Sequence, residues 1–229
     1  MWRFRRKKES SKEESHVRNV TRRGSFLDIE SIDFSGLFTT SPSARYTIAW
    51  CDTDEASGRG GFREKGRGRY VLLDNDKMIL RGRMQRPNDG HVADNGTFVM
   101  NDWMFGEGMK GTFYAIDCQG NVVTRKLFQA NLYNNGISPD GRLALCQTCN
   151  SDNTDSGILS LFNLSGGKIL WQKQPESGWA NSYEFDLEKG LIYLVYMNLG
   201  KFAYNLMGEF LDEERWQTER IRKKCNRNS

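Results

Sequence analysis

The sequence predicts an all-β chain of four blade-like, four-stranded antiparallel repeats, and three observations predict it. The first is the stretch Asn135–Trp171, where short apolar runs at Arg142–Cys146, Gly157–Leu164 and Lys168–Trp171 are separated by two turns. Ser138-Pro-Asp-Gly141 turns because Pro presets φ and Gly accepts positive φ; Asn163-Leu-Ser-Gly166 turns on a side-chain acceptor and an unhindered Gly. The second is recurrence. Ala44, Gly96, Gly141 and Gly190, spaced by 52, 45 and 49 residues, each precede an apolar run: RYTIAW, TFVMND, RLALCQ and LIYLVY. The third is a further run in each copy carrying Asp74, Asp117, Asn163 or Asn205, with Gly120, Gly166 or Gly208 three residues later in the last three copies; copy one has Lys77 there, so its turn differs. Repeats of roughly 40–50 residues with four short strands are the pattern of propeller blades. A sandwich or barrel of hairpins would not need matched turn chemistry in four copies. The fold expected is therefore a small or partial β-propeller.

The repeats occupy residues 25–216. A basic stretch, 1–24, is expected to be unstructured, and a second basic tail, 217–229, to be a short helix or unstructured. Ser25–Thr40 is expected to supply the first strand of copy one and an added strand. Copy one, Phe34–Gln85, has an insertion between its second and third strands, DTDEASGRGGFREKGRGR. Copy two, Arg86–Gln129, opens with RPNDGHVADNG and has the loop NDWMFGEGMKG. Copy three, Ala130–Glu176, carries Cys146 and Cys149. Copy four, Ser177–Trp216, is expected to finish in an acidic outer strand, GEFLDEERW, protected at its edge by charge.

SPDGR at Ser138–Arg142, with LFNLSGGKILW after it, resembles WD-repeat and quinoprotein-type propellers over roughly residues 30–216. The Gly-His and Trp-Asp signatures of WD repeats are missing at matched positions. The resemblance therefore implies a fold and no activity, and no set of residues for a quinone is visible.

The net charge of +4 hides an asymmetry: residues 1–24 carry +6, residues 215–229 carry +5, and the body between them −7. Basic tails meet nucleic acid, acidic protein or anionic lipid, or simply keep a chain soluble. No apolar run approaches the ~20 residues of a membrane helix. MWRFRRKK lacks the apolar core of a secretory signal. Five cysteines without a regular framework suit a reducing compartment, and the location expected is cytoplasmic.

In a propeller the first strand lines the axis and the fourth lies outside. The loops between second and third strands then share one face with the segments that lead into each first strand. That face would gather the Arg-Gly insertion with Arg59, Arg63, Arg67 and Arg69; the Trp103 and Phe105 loop; the Asp152–Asp155 loop; and Asn88, His91, Asn131, Tyr133, Trp179 and Asn181 around the axial mouth. Arg-Gly segments suit RNA through charge and guanidinium stacking, though long loops are also where charge ordinarily goes. Asn side chains suit a mouth but equally cap turns. Cys146 and Cys149 lie three apart on an extended strand and so face opposite sides, which disfavours zinc. No nucleophile triad, phosphate loop or metal cluster is visible, so no cofactor and no metal are expected.

The leading reading is a non-enzymatic protein-interaction or scaffold module using the loop-rich face. A nucleic-acid-associated protein acting through the tails and the Arg-Gly loop is the second, and an enzyme with its site at the axial mouth the third. The sequence leaves open whether four repeats close a ring or pair with another chain.

Overall fold

The computed structural model describes residues 19–105 and 109–227. It contains seventeen strands in four antiparallel sheets and one α-helix. The first sheet runs β1 (Val20–Arg23), β2 (Phe26–Ile29), β3 (Phe34–Thr40), β4 (Tyr46–Cys51), β5 (Gly68–Asp74) and β6 (Lys77–Met84), each beside the next. The second is β7 (Pro87–Val92), β8 (Phe98–Asp102), β9 (Gly111–Ile116) and β10 (Val122–Phe128); the third is β11 (Leu132–Ile137), β12 (Leu143–Thr148), β13 (Leu159–Asn163) and β14 (Lys168–Lys173). The fourth has only β15 (Ser182–Asp186), β16 (Leu191–Tyr196) and β17 (Gly200–Asn205), followed by helix α1 (Glu213–Arg227).

The apolar runs are continuous because the middle strands are covered on both faces. Alternate residues of one strand enter different cores. Ile48, Trp50 and Leu72 pack against Val92, Phe98, Met100 and Ile116 of the second sheet. Val99, Phe113 and Ala115 turn the other way, onto Ala144, Cys146 and Phe162 of the third. Leu145, Leu159 and Leu161 in turn meet Ile192, Leu194, Phe202 and Tyr204 of the fourth. The inner strands β3, β7, β11 and β15 pack in that sequence. Four sheets stacked face to face with their first strands inward are propeller blades, as the repeats imply.

The repeat anchors share one conformation. Ala44, Gly96, Gly141 and Gly190 all have positive φ, between 59° and 80°. The amide nitrogen of each of the first three bonds the carbonyl three residues earlier, at Ser41, Ala93 and Ser138. Copy one differs at its next turn because Asn75 and Asp76 both take positive φ and form a two-residue hairpin turn. In copy three Gly167 holds the positive φ, one residue after the expected Gly166.

Two expectations need correction. Residues 1–18 of the basic N-terminal stretch lie outside the described residues, but Val20–Arg23 forms β1, paired with β2. That hairpin curls over the first blade: Leu27 and Ile29 are fully buried against Ala49, Val71 and Leu73, and Arg22 reaches Asp76 at the β5–β6 turn. The chain thus covers the side of its first blade that no other blade covers. The acidic outer strand expected from GEFLDEERW does not form. Phe210 makes one bridge to Tyr204, Asp212 accepts the Ala203 amide at 2.7 Å, and the chain turns into α1. Glu, Arg, Gln and Lys favour a helix there, with Glu213 and Glu214 at its positive end. Trp216 then plugs the edge, 5.3 Å from Tyr196 and 5.0 Å from Phe202 between ring centres. None of the four cores joins the fourth sheet to the first. The far side of the fourth sheet carries a Lys201–Glu184 ion pair at 2.6 Å, with Lys201 over the Tyr193 ring.

Candidate functional site: the loop face and the axial strands

Hydrogen bonds confirm that the two sets of connections share a face. The lead-in residue Gln85 takes Arg63 on its carbonyl at 2.8 Å, and Gln129 donates its amide to Asp155 at 2.6 Å. Gln174 reaches the Ser156 carbonyl at 2.9 Å, and Asn181 accepts the Met197 amide at 2.8 Å. At the opposite end, the turns between first and second strands bond to one another. Ser43 donates to Asp94, Asp94 donates to the Pro139 carbonyl, and Asn95 donates to the Asp140 carbonyl.

The Arg-Gly insertion is folded rather than a free tether. Asp54 organises it, accepting the Arg67 amide and both the amide and hydroxyl of Ser57 at 2.8–2.9 Å. These donors hold its carboxyl below the usual range, the Arg67 amide most strongly. Arg63 is only 7% exposed in its side chain. It binds Asp52 at 2.9 Å and the carbonyls of Gly61 and Gln85, and lies over the Phe105 ring. Arg69 points to the outer side of the blade, onto Glu55, the Asp33 carbonyl and the Phe34 ring. Arg59 and Arg67 are exposed. The four arginines expected to act together therefore divide into two structural anchors and two free cations.

Phe105 folds against this insertion, under Arg63, whereas Trp103 packs against the core shared by the second and third blades. Arg86 lies over Trp103, and the Phe105 amide donates to the Gln85 side chain at 2.9 Å. Asn88 accepts the neighbouring Asp89 amide at 2.9 Å, and Asn181 serves the Met197 turn, so both satisfy local backbone. Asn131 lies in the bend before β11, its carbonyl taking the Cys149 amide. Tyr133 and Trp179 meet across the third and fourth blades with ring centres 5.1 Å apart. Trp179 remains 39% exposed.

On the inner strands the structure reveals a clamp between blades two and three. Asp89 occupies a bulge in β7 with φ of 49°. Its carboxylate accepts the Asn135 amide at 2.8 Å, and its carbonyl accepts the Asn135 side-chain amide. The remaining oxygen of that side chain meets His91 Nδ1 at 2.9 Å. Since the Asn135 NH2 group faces a carbonyl, its oxygen faces His91, and Nδ1 must carry a proton. The His91 side chain is half-exposed, and its Nε2 has no partner among the described residues. Desolvation pushes the Asp89 carboxyl above the usual carboxylate range, opposed by His91 and the Asn135 amide. Burial likewise raises the Cys146 thiol, with Asp89 adding to it, so Cys146 is a neutral and unreactive core thiol. The next link is Tyr183, whose hydroxyl donates to Asn134 at 2.6 Å and to Gln147 at 3.2 Å, while Asn134 donates to the Ala180 carbonyl. The sequence pointed to the ANLYNN lead-in but not to Asn134, Asn135, Gln147 or Tyr183, because their roles depend on the facing blade.

The chain matches no protein-family model and no curated protein. Among solved structures it is similar to the β-propeller domain of Myceliophteria thermophila Cps50 (Swd1), at 9% identity and a TM-score of 0.47, over 72% of this chain and 49% of that one. It is also similar to the propeller of Dos1, at 14% identity and a TM-score of 0.49, over 79% of this chain and 46% of that one. The chain spans about half the length of these propellers. The stacked blades, matched turns and alternating cores of the chain itself carry the fold assignment. No helix among the described residues is long and apolar enough to cross a membrane.

Proposed function

We propose that the chain is a non-enzymatic interaction module that holds a protein partner on its loop face. The Tyr133–Trp179 pair carries this reading. Two aromatic side chains from different blades meet at the surface, and the Trp179 indole N–H has no acceptor among the described residues. Half-exposed tryptophan with an unused donor is the usual anchor of a protein interface. The turns of the opposite face bond to one another. Cys51, Cys118, Cys146 and Cys149 are all free, which supports placing the protein in a reducing compartment such as the cytoplasm.

The test is a nuclease-treated affinity capture comparing the wild type with Trp179→Ala, matched for thermal stability. Proteins retained by the wild type and lost by the variant support the reading. Identical retention by both removes Trp179 as the anchor and the reading with it.

A further inference from the structure

The Arg-Gly insertion encloses an open cavity of about 1010 Å³. Arg59, Phe62, Arg63 and Lys65 line it together with Asp54 and Glu64. Asp54 in the lining and Asp52 behind Arg63 are already committed. Asp54 is saturated by Arg67 and Ser57, and Asp52 by Arg63. Arg59, Lys65 and the adjacent Arg67 have no side-chain partner among the described residues; Glu64, also unpartnered, offsets one of them. Arg63 forms the root, and its buried Nε lacks an acceptor. Phe62, which follows Gly60 and Gly61, lines the cavity and is 72% exposed.

We infer that this cup binds a single-stranded nucleic acid segment, with phosphates on Arg59, Lys65 and Arg67 and a base stacked on Phe62. Free cations alone would suit any polyanion. An exposed ring beside them adds a surface on which the unpaired bases of a single strand can stack. A duplex buries those faces. Asp54, Asp52 and Arg63 keep the loop folded before the ligand arrives, so little ordering opposes binding. The inference goes beyond the protein-binding reading and uses a different part of the loop face.

The experiment is fluorescence anisotropy of a labelled oligouridylate on the full chain, titrated between about 50 and 200 mM salt. Variants are Phe62→Ala and the triple Arg59→Ala/Lys65→Ala/Arg67→Ala, both at exposed positions and both checked for an unchanged melting temperature. Each phosphate contact contributes about 0.7 to the logarithmic salt slope on single strands, so the triple variant should lower that slope by about 2. Loss of one stacked base should weaken binding about 5- to 150-fold in Phe62→Ala. No binding by the wild type overturns the inference. So does wild-type affinity in both variants, which assigns binding to the basic tails. An oligoglutamate that competes equally well, with Phe62→Ala without effect, makes the cup a plain polyanion site and also overturns it.

Discussion

Ala44 is the one repeat anchor that is not glycine, and it gives the sharpest test of the blade alignment. Its φ is 59°, its side chain is exposed, and it stands where Gly96, Gly141 and Gly190 stand in the other blades. An L-residue in the left-handed region costs roughly 1–2 kcal/mol. Glycine gives back about 0.4–1 kcal/mol through the greater freedom of the unfolded chain. With no packing to lose, Ala44→Gly should stabilise the protein by about 0.5–1 kcal/mol. In urea unfolding followed by tryptophan fluorescence, the midpoint should rise by about 0.2–0.5 M with an unchanged slope. The reciprocal change should do the opposite. Gly141 has φ of 73°, and a Cβ there would come within 2.5 Å of Asn95, whose side chain is held on the Asp140 carbonyl. Gly141→Ala should cost about 1–3 kcal/mol. A destabilised Ala44→Gly together with a harmless Gly141→Ala would show that the four turns do not share one geometry, and the repeat alignment would fail.

Other outcomes follow from the clamps and caps. Arg63→Ala should destabilise by about 2–3 kcal/mol, below the ~3–5 kcal/mol of a fully buried pair because Asp52 keeps some exposure, as measured by the same urea assay. Trp216→Ala should cost about 3–5 kcal/mol and expose the edge of the fourth blade, read as faster proteolysis within 200–212. Asp89 has a raised carboxyl pKa, so the folded state holds its proton to higher pH than the unfolded chain does. Its contribution therefore weakens the fold as pH rises through the window above the ordinary Asp value, and relaxes as pH falls back through it. Asp89→Asn keeps an acceptor for the Asn135 amide and should flatten that part of the stability–pH curve. An unchanged curve would remove Asp89 as its source; His91 faces the same carboxylate, so His91→Gln is the paired control.

The turns were legible because their chemistry is local. Ser138, Pro139 and Gly141 specify a conformation without help from the rest of the chain, and alternate burial follows from continuous apolar strands. The same locality explains what was missed. Ser25–Thr40 supplies the added strand expected of it, as β2, but the burial of Leu27 and Ile29 depends on the curl of a six-stranded sheet. GEFLDEERW sat where a repeat template demands a strand, yet its helix formers and the Trp216 socket prevail over the template. Among the arginines, charge was visible but partner was not: Arg63 and Arg69 are distinguished from Arg59 and Arg67 only by which acids and carbonyls the folded loop presents. Asp89 and Asn135 lie 46 residues apart, and nothing local to either announces the bulge that joins them.

The bonds between successive turns at Ser43, Asp94, Asn95, Pro139 and Asp140 have a consequence for variation. They fix the spacing of the first three blades from the end remote from the loops. Connector length at the other end is thereby released from any duty in setting blade pitch: the first blade carries residues 52–67 there, whereas the fourth makes do with 197–199. Such a division of labour makes the protein a natural frame for grafting, in which foreign segments inserted into the first-blade connector, with Asp52, Asp54, Ser57 and Arg63 kept, would alter what is gripped while the spine beneath them stays in register.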